Sequence, residues 1–309
     1  MKRVLLTGAS GLVGRNAITP LRERGFEVVA VARRRPAGAA ETNGVRWLEA
    51  DLLDDASRPR AVEEASAGHL LHLAWYAEPG LYWEAPENLD WLRATVLLTR
   101  EFASAGGERA VYAGTCAEYR WGGASLLSEG SPLQPATLYG VAKNATRQAV
   151  ADIGQGLGIS TAWGRIFFLY GPGEDERRLV ASVARALVAG EPVATTAGTQ
   201  VRDFLYVGDA GDAFAALTAS GVEGAVNIAS GEGVPVSRLT TLIGEASGRA
   251  DLIDAGALEP RAGDPASIVA DASVLNDQVG WEPKTGLAEG IAATVDWWKA
   301  AQPNTVSDE

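Results

Sequence analysis

A tyrosine and a lysine one helical turn apart are the residues of this chain best suited to proton transfer. Tyr139 and Lys143 are four residues apart, and a helix places such positions on the same face, one above the other. An ammonium close to a phenol favours the phenolate and so lowers the pKa of the phenol. We therefore predict that Tyr139 exchanges a proton with a ligand near neutral pH. Taken alone, the spacing also fits two unrelated surface residues.

A hydroxyl side chain upstream of this pair is placed to assist it. The apolar run Ala110 to Ala113 is typical of a buried strand, and Thr115 stands at its end. A hydroxyl at a strand end can hydrogen-bond an oxygen of a substrate. We predict that Thr115 does so, and that Cys116 beside it contacts the same substrate.

A glycine-rich turn near the N-terminus predicts a site for phosphates. The run Lys2 to Thr7 is typical of a strand, Arg15 to Arg24 is typical of a helix, and the spacing between them is G-x-x-G-x-x-G. Gly8 permits a tight turn, Gly11 lets the backbone approach a pyrophosphate, and Gly14 lets the helix pack on the strand. The start of the helix then offers free N–H groups to the phosphates. The predicted cofactor contacts in this turn are Gly8, Ser10, Gly11, Leu12, Val13 and Gly14.

The residues after the second predicted strand, Glu27 to Ala32, indicate which dinucleotide binds. Arg33 and Arg34 follow this strand, and a third arginine follows them. A site for NAD usually has an acidic residue here for the ribose 2′-hydroxyl, whereas a 2′-phosphate needs arginine. We predict NADP(H) rather than NAD(H), with Arg33 and Arg34 at the 2′-phosphate. A solvated basic turn is the alternative interpretation.

The ends of the next two predicted strands are further candidates for cofactor binding. Val45 to Ala50 and Leu70 to Leu73 are the runs concerned, and an open sheet binds ligands outside the carboxyl ends of its strands. We interpret His72, on the second of them, as a hydrogen-bonded core histidine rather than a catalyst. The predicted contacts are Asp51 and Leu52, at the adenine ring, and Leu73 and Ala74.

The alternation of strands and helices predicts an α/β fold. We expect a doubly wound parallel Rossmann sheet with right-handed crossovers and a smaller, interleaved C-terminal α/β domain for the substrate. The predicted dinucleotide domain is 1–166 with about 208–229, the substrate domain is 167–207 with 230–301, and 302–309 is a frayed tail.

Composition excludes several classes of partner. A chain of 309 residues with 47% hydrophobic content can bury a full core, and a net charge of −12 argues against a nucleic-acid surface. The single cysteine, Cys116, rules out an internal disulfide, and with His69 and His72 it makes no metal-ligand pattern. We predict no metal. We find no signal peptide and no apolar run long enough to span a bilayer, so we expect a cytoplasmic protein that does not enter a membrane.

Together these motifs resemble the extended short-chain dehydrogenase/reductases, in the subfamily of nucleotide-sugar epimerases, dehydratases and ketoreductases. The resemblance implies that Thr115 aligns the substrate, that Tyr139 is the acid and base, and that Lys143 binds the nicotinamide ribose and lowers the tyrosine pKa. It also implies a homodimer built from the helices Asn88 to Ala105 and Leu138 to Gly154. The matching segments follow the family order over almost the whole chain: Thr7 to Gly14, His72 to Ala74, Thr115, Tyr139 with Lys143, Tyr170 to Gly173, and Arg202 to Val207.

The resemblance also implies a nucleotide-diphosphate sugar as the substrate. Arg202 and Arg261 stand where the family contacts the diphosphate, and the planar fork of arginine can donate two hydrogen bonds to phosphate oxygens. Surface ion pairs are the alternative for both residues. Trp75, in an aromatic loop after the fourth strand, is predicted to wall the sugar ring, and packing under the loop is the alternative.

Departures from the family pattern help to separate three reactions. A 4,6-dehydratase has Asp-Glu directly after the threonine, and Cys116 and Ala117 occupy those positions here. The arginines after the second strand, and Phe168 where many epimerases have an asparagine, count against an NAD-dependent 4-epimerase, which we keep as the alternative.

We therefore predict the NADPH-dependent reduction of a nucleotide-linked 4-keto-6-deoxyhexose at its 4-keto group. In this reaction Tyr139 supplies the proton to the carbonyl oxygen, and Thr115 holds that oxygen. A non-catalytic NADP(H)-binding protein is a second alternative, which the intact Thr115, Tyr139 and Lys143 disfavour.

Overall fold

A computed structural model describes residues 2–36, 44–122 and 126–301 of the chain. The strands are β1 (Lys2–Thr7), β2 (Phe26–Ala32), β3 (Val45–Glu49), β4 (His69–His72), β5 (Arg109–Thr115), β6 (Ser160–Ile166), β7 (Phe168–Tyr170), β8 (Val193–Thr195), β9 (Val201–Tyr206), β10 (Gly224–Ile228), β11 (Gly233–Pro235), β12 (Ile253–Ala255) and β13 (Ser267–Ile268). The α-helices are α1 (Leu12–Glu23), α2 (Ser57–Ala65), α3 (Glu87–Ser104), α4 (Leu138–Leu157), α5 (Leu179–Ala189), α6 (Val207–Ala219), α7 (Val236–Ser247) and α8 (Leu287–Ala301).

A seven-stranded parallel sheet forms the centre of the molecule, in the order β10-β6-β5-β4-β1-β2-β3. The chain leaves β1 toward one edge through β2 and β3, and then crosses to the other side of β1 as β4. The carboxyl ends of β1 and β4 therefore meet at the point where the strand order reverses, which is where such sheets bind ligands. The predicted Rossmann sheet is confirmed.

Both faces of this sheet are buried, because successive strand residues point to opposite faces and both sets are apolar. Val4 and Leu6 of β1 pack toward α1 and α6, whereas Leu5, between them, packs toward α2, α3 and α4. Helices on both faces hold the strand ends rigidly, and those ends carry the predicted site.

A second, smaller sheet stands beyond the carboxyl edge of the first. β9 lies between β11 and β13 and also pairs with β7, while α5, α7 and α8 cover this sheet with a separate apolar core. After β9 the chain runs through α6 back to the large sheet, where β10 pairs with β6. The two units are thus interleaved in the chain, and the predicted boundaries between a dinucleotide domain and a substrate domain remain a proposal. The predicted tail, 302–309, lies outside the described residues.

Several predicted element boundaries differ from the structure. The helix α1 begins at Leu12 rather than Arg15, so the last glycine of the turn lies in its first helical turn. The segment Val274–Val279 is a short π-helical turn. Throughout the described ranges, no helix is long and apolar enough to cross a membrane.

Candidate functional site

The turn between β1 and α1 requires glycine at two of its positions. Gly8 has φ +67°, and a Cβ there would stand 2.8 Å from the backbone of Leu73 and Ala74 at the end of β4. A Cβ on Gly14 would stand 2.1 Å from the Gly8 carbonyl oxygen. Any larger residue would push α1 away from β1 or close the space above the turn.

The first turn of α1 leaves its backbone N–H groups free. Gly11 begins the helix and offers no side chain to cap it, so the N–H groups of Leu12, Val13 and Gly14 have no helical partner. They carry the positive end of the helix dipole, and Ser10 lies exposed beside them. This arrangement fits the pyrophosphate of a dinucleotide.

The ends of β2 and β3 only partly match the prediction. Arg33 and Arg34 are exposed directly after β2, where a ribose 2′-substituent would lie. The Asp51 carboxylate is exposed and accepts a hydrogen bond from the Leu53 N–H at 3.0 Å. The Leu52 side chain, however, is buried in the core under the sheet, so only its backbone can face an adenine ring.

The side chains of Thr115 and Tyr139 lie close together, as their places in the sequence predict. Thr115 is the last residue of β5, and its Oγ1 accepts a hydrogen bond from the Ala117 N–H at 3.2 Å. Tyr139 lies in the first turn of α4, which begins where Thr137 accepts the Gly140 N–H at 3.2 Å. The Thr115 side chain lies close enough to the Tyr139 hydroxyl to act on its pKa, in the direction of lowering it. Two hydroxyls thus converge at the carboxyl edge of the sheet, where one ligand oxygen could contact both.

Lys143 lies behind this pair and is almost completely buried. Its Nζ donates a hydrogen bond to the Ala113 carbonyl oxygen at 2.8 Å and lies 3.8 Å from the centroid of the Trp75 indole. Burial lowers the pKa of Lys143 to about 7, and the nearby Glu118 carboxylate opposes that change. Trp75 therefore packs on a catalytic candidate instead of standing free in the cleft.

The pKa of Tyr139 is raised in this structure, whereas a lowered pKa is the prediction from the nearby Lys143. Burial of the phenol is the main cause, and the nearby Tyr82 adds to it, whereas the Thr115 side chain acts in the opposite direction. The rings of Tyr82 and Trp83 pack edge-on against the Tyr139 ring, at centroid distances of 4.9 and 5.9 Å. The ammonium is directed at Ala113 and Trp75, and its Nζ lies 5.9 Å from the centroid of the Tyr139 ring.

A buried carboxylate that the sequence analysis missed holds Thr115 in place. Glu118 is fully buried; its Oε1 accepts from the Thr115 N–H at 2.9 Å and from Trp163 Nε1 at 2.8 Å, and its Oε2 accepts from Arg165 Nε at 2.9 Å. The signal in the sequence was the spacing T-x-x-E, in which the glutamate returns to cap the backbone of the threonine.

The residues next to Thr115 offer no free acid or base. Cys116 is buried, and burial raises the pKa of its thiol to about 12, so the thiol stays protonated. Ala117 has no titratable group, and the Glu118 carboxylate is occupied by three donors.

His72 is a core residue, as predicted. Its Nδ1 lies 2.7 Å from Thr7 Oγ1 and its Nε2 lies 3.0 Å from Thr95 Oγ1, and burial lowers its pKa to about 3. Within the described ranges no cluster of His, Cys, Asp and Glu side chains could hold a metal ion.

The two predicted substrate arginines lie at opposite extremes of exposure. Arg202 on β9 is 4% exposed, lies over the Phe168 ring, and pairs with Asp264 at 2.6 Å. Arg261 is exposed in the loop before β13, and its carbonyl accepts the Asp264 N–H at 3.1 Å. The turn from Arg261 to Asp264 thus brings both arginines to one region, but Arg202 is a buried ion pair rather than the surface pair we considered.

The comparisons with known proteins agree with this arrangement. Residues 4–229 match the profile of the NAD dependent epimerase/dehydratase family. A UDP-glucose 4-epimerase of Azospirillum brasilense is 26% identical, over 98% of this chain and 94% of its own length. The structure of a Thermus thermophilus UDP-glucose 4-epimerase in complex with NAD is 29% identical, with a TM-score of 0.84, and covers 97% of this chain and all of that chain (100%).

A further solved structure extends the likeness. MoeE5 in complex with UDP-glucuronic acid and NAD is 30% identical, with a TM-score of 0.80, and covers 98% of this chain and 100% of that chain. The matched profile spans more than half of the chain and includes the glycine turn, Thr115, Tyr139 and Lys143. The chain therefore belongs to the NAD dependent epimerase/dehydratase family.

Proposed function

We propose that this protein is a nucleotide-sugar 4-epimerase that works with a bound nicotinamide dinucleotide. The observation that carries the proposal is the proximity of the Thr115 and Tyr139 side chains, with Lys143 one turn later on α4, at the carboxyl edge of the sheet beside its switch point. Full-length relatives named as UDP-glucose 4-epimerases support the same activity. They favour this reaction over the reduction that the sequence alone suggested.

The residues of this site are suited to a reversible oxidation at C4 of a hexose. A bound nicotinamide would supply the hydride chemistry, by accepting a hydride from C4 of the sugar and returning it to the opposite face of the sugar ring. In its ionised form, the Tyr139 oxygen would take the proton of the C4 hydroxyl during oxidation and give it back during reduction. The Thr115 hydroxyl holds the same sugar oxygen, so the C4 oxygen stays in place in both half-reactions.

The start of α1 and Lys143 are the proposed binding contacts for the dinucleotide. The free N–H groups at the start of α1 would hold the pyrophosphate, and Lys143 would contact the nicotinamide ribose. The Thermus thermophilus enzyme and MoeE5 were both solved with NAD, which supports NAD for this chain as well.

A specific observation favours a second candidate, NADPH-dependent reduction of a 4-keto sugar nucleotide. Arg33 and Arg34 are exposed at the end of β2, where NAD enzymes usually place an acidic residue. A 2′-phosphate would find two guanidinium groups there. The same three residues, Thr115, Tyr139 and Lys143, would serve this reaction.

Dehydration is not proposed, because the site lacks the carboxyl groups for it. Elimination of water needs an acid and a base next to Thr115. Cys116 and Ala117 cannot supply them, and the Glu118 carboxylate is fully buried and bonded to three donors.

We propose a nucleotide-diphosphate hexose as the substrate. The chain carries a net charge of −12, so an anionic substrate needs local cations. The exposed Arg261 would supply one of them, and Arg202, which is paired with Asp264, would have to exchange that partner for the diphosphate.

One assay separates the candidates. The purified protein is incubated with UDP-glucose, UDP-galactose, UDP-glucuronic acid and a dTDP-4-keto-6-deoxyhexose, each with NAD⁺, NADP⁺ or NADPH, and the products are identified by proton NMR. An epimerase interconverts two sugars with no net consumption of cofactor, whereas a reductase consumes NADPH in equal amount to the keto sugar. Binding of cofactor without turnover of any sugar would contradict both candidates.

A further inference from the structure

The Lys143 ammonium is covered by an aromatic ring from a segment distant in the sequence. Its Nζ lies 3.8 Å from the centroid of the Trp75 indole, within the distance at which a cation is attracted to the face of a ring. The rings of Tyr139 and Trp163 are farther away, at 5.9 and 6.0 Å. The contact joins the loop after β4 to the helix α4, and it lies inside the candidate site.

The indole is held in one orientation by buried partners. Trp75 Nε1 donates to Asn88 Oδ1 at 2.8 Å, and the Asn88 amide nitrogen donates to the Tyr82 and Ala85 carbonyl oxygens at 2.7 and 2.8 Å. Those two bonds fix which way the amide points, so its oxygen must face the indole. The ring of Trp91 stacks against the Trp75 indole, with centroids 6.3 Å apart.

The ammonium has no carboxylate of its own among the described residues. Its one hydrogen-bond acceptor is the Ala113 carbonyl oxygen. Glu118, the charged group that faces it from the segment after β5, accepts from the Thr115 backbone, Trp163 and Arg165. The remaining group that stabilises the charge is the electron-rich face of the indole.

The other titratable groups around Lys143 are neutral at pH 7. His72 faces it from β4, and burial together with Lys143 itself lowers the pKa of His72 to about 3. Tyr139, one turn earlier on α4, has a raised pKa and keeps its proton.

We propose that Trp75 is a positioning residue, whose indole face holds the Lys143 ammonium in the site, where no carboxylate of the described residues contacts it. The role of that ammonium in cofactor binding and proton transfer rests on the proposed function; the contact itself does not. Because the ring face stabilises the charged form, burial without it would lower the pKa of Lys143 further and discharge the group at the working pH.

The small number of lysines makes a direct test practical. The chain has four, Lys2, Lys143, Lys284 and Lys299, so NMR of protein with isotope-labelled lysine gives four side-chain titrations, and the Lys143→Met variant assigns the signal of interest. In Trp75→Leu we expect the Lys143 midpoint to fall by about one pH unit, the scale of a desolvated cation–π contact. Trp75→Phe, with a weaker ring face, should fall by less. Trp91→Phe, which leaves the Trp75 face in place, is the matched control and should not shift.

A midpoint in Trp75→Leu that is unchanged or higher than in the unmutated protein would overturn the proposal. If that variant does not fold, Trp75→Phe carries the test, and an unshifted midpoint there has the same meaning. In active enzyme, the alkaline limb of the kcat/KM profile should move to lower pH together with the titration. A shifted midpoint in a protein inactive on every nucleotide sugar would refute the proposed function and leave the contact standing, whereas full activity with no shift would refute only the role of Trp75.

Discussion

Replacing Glu118 by glutamine should destabilise the protein far more than the loss of one charge at the surface. The side chain accepts from three donors, two on Oε1 and one, Arg165 Nε, on Oε2. If the glutamine oxygen takes the place of Oε1, its amide nitrogen faces Arg165 Nε, donor against donor. If the amide is turned around, its nitrogen faces the Thr115 N–H and Trp163 Nε1 instead.

Either orientation leaves the Arg165 guanidinium, 1% exposed, without its counter-charge. Breaking a buried ion pair in this way costs about 3 to 5 kcal/mol. We therefore expect Glu118→Gln to lower the free energy of unfolding by about that amount, measured by urea denaturation at constant m-value. The double variant Glu118→Gln with Arg165→Met should recover part of the loss, because it removes both charges.

The matched control is a partly exposed ion pair of the same chemistry. Arg3 and Glu27 are 2.9 Å apart, with side chains 34% and 37% exposed. Glu27→Gln should cost about 1 kcal/mol or less. A Glu118→Gln protein as stable as Glu27→Gln, or a double variant no more stable than Glu118→Gln alone, would refute the reasoning.

Three further predictions concern the cofactor, pH and assembly. Arg33→Asp should weaken NADP(H) binding by about tenfold or more, because it replaces a cation at the 2′-phosphate by an anion, whereas NAD(H) binding measured by calorimetry should change by about twofold or less. An equal loss of affinity for both cofactors would identify a solvated basic turn. Because the pKa of Lys143 is lowered in the folded protein, between about pH 7 and 10.5 the unfolded chain carries a proton on this lysine that the folded chain lacks, so the free energy of unfolding rises with pH across that window. Lys143→Met should therefore stabilise the fold more at pH 7 than at pH 10. Equal stabilisation at both pH values would contradict the burial of the charge. Leu89 on α3 and Val141 on α4 are 54% and 48% exposed, as apolar residues of a dimer interface would be in a single chain. Light scattering should therefore show a dimer, and Val141→Glu should convert it to a monomer. An unmutated chain that is monomeric at micromolar concentration would exclude the dimer.

The parts of the fold that the sequence predicts are those governed by local patterns. The strands of the large sheet are continuous apolar runs because both of their faces are buried, and the turn at Gly8 and Gly14 is predicted because no larger residue fits there. The helices α2 and α5 are not predicted from the sequence.

The site was predicted in its residues but not in its electrostatics. The four-residue spacing placed Tyr139 and Lys143 on one face of α4, but the direction of the ammonium depends on Ala113, 30 residues upstream, and on Trp75, in a loop after another strand. The Glu118 and Arg165 pair likewise joins residues 47 positions apart. Such contacts arise from strand order, which the local pattern of residues does not contain.

The central claim is that Tyr139 carries the proton, and Tyr139→Phe tests it most directly, because the change removes one hydroxyl and leaves the ring that packs against Tyr82 and Trp83. We expect kcat with the active nucleotide sugar to fall by about a hundredfold or more, with the cofactor dissociation constant unchanged. A Tyr139→Phe enzyme that turns over its sugar at the unmutated rate would contradict the account.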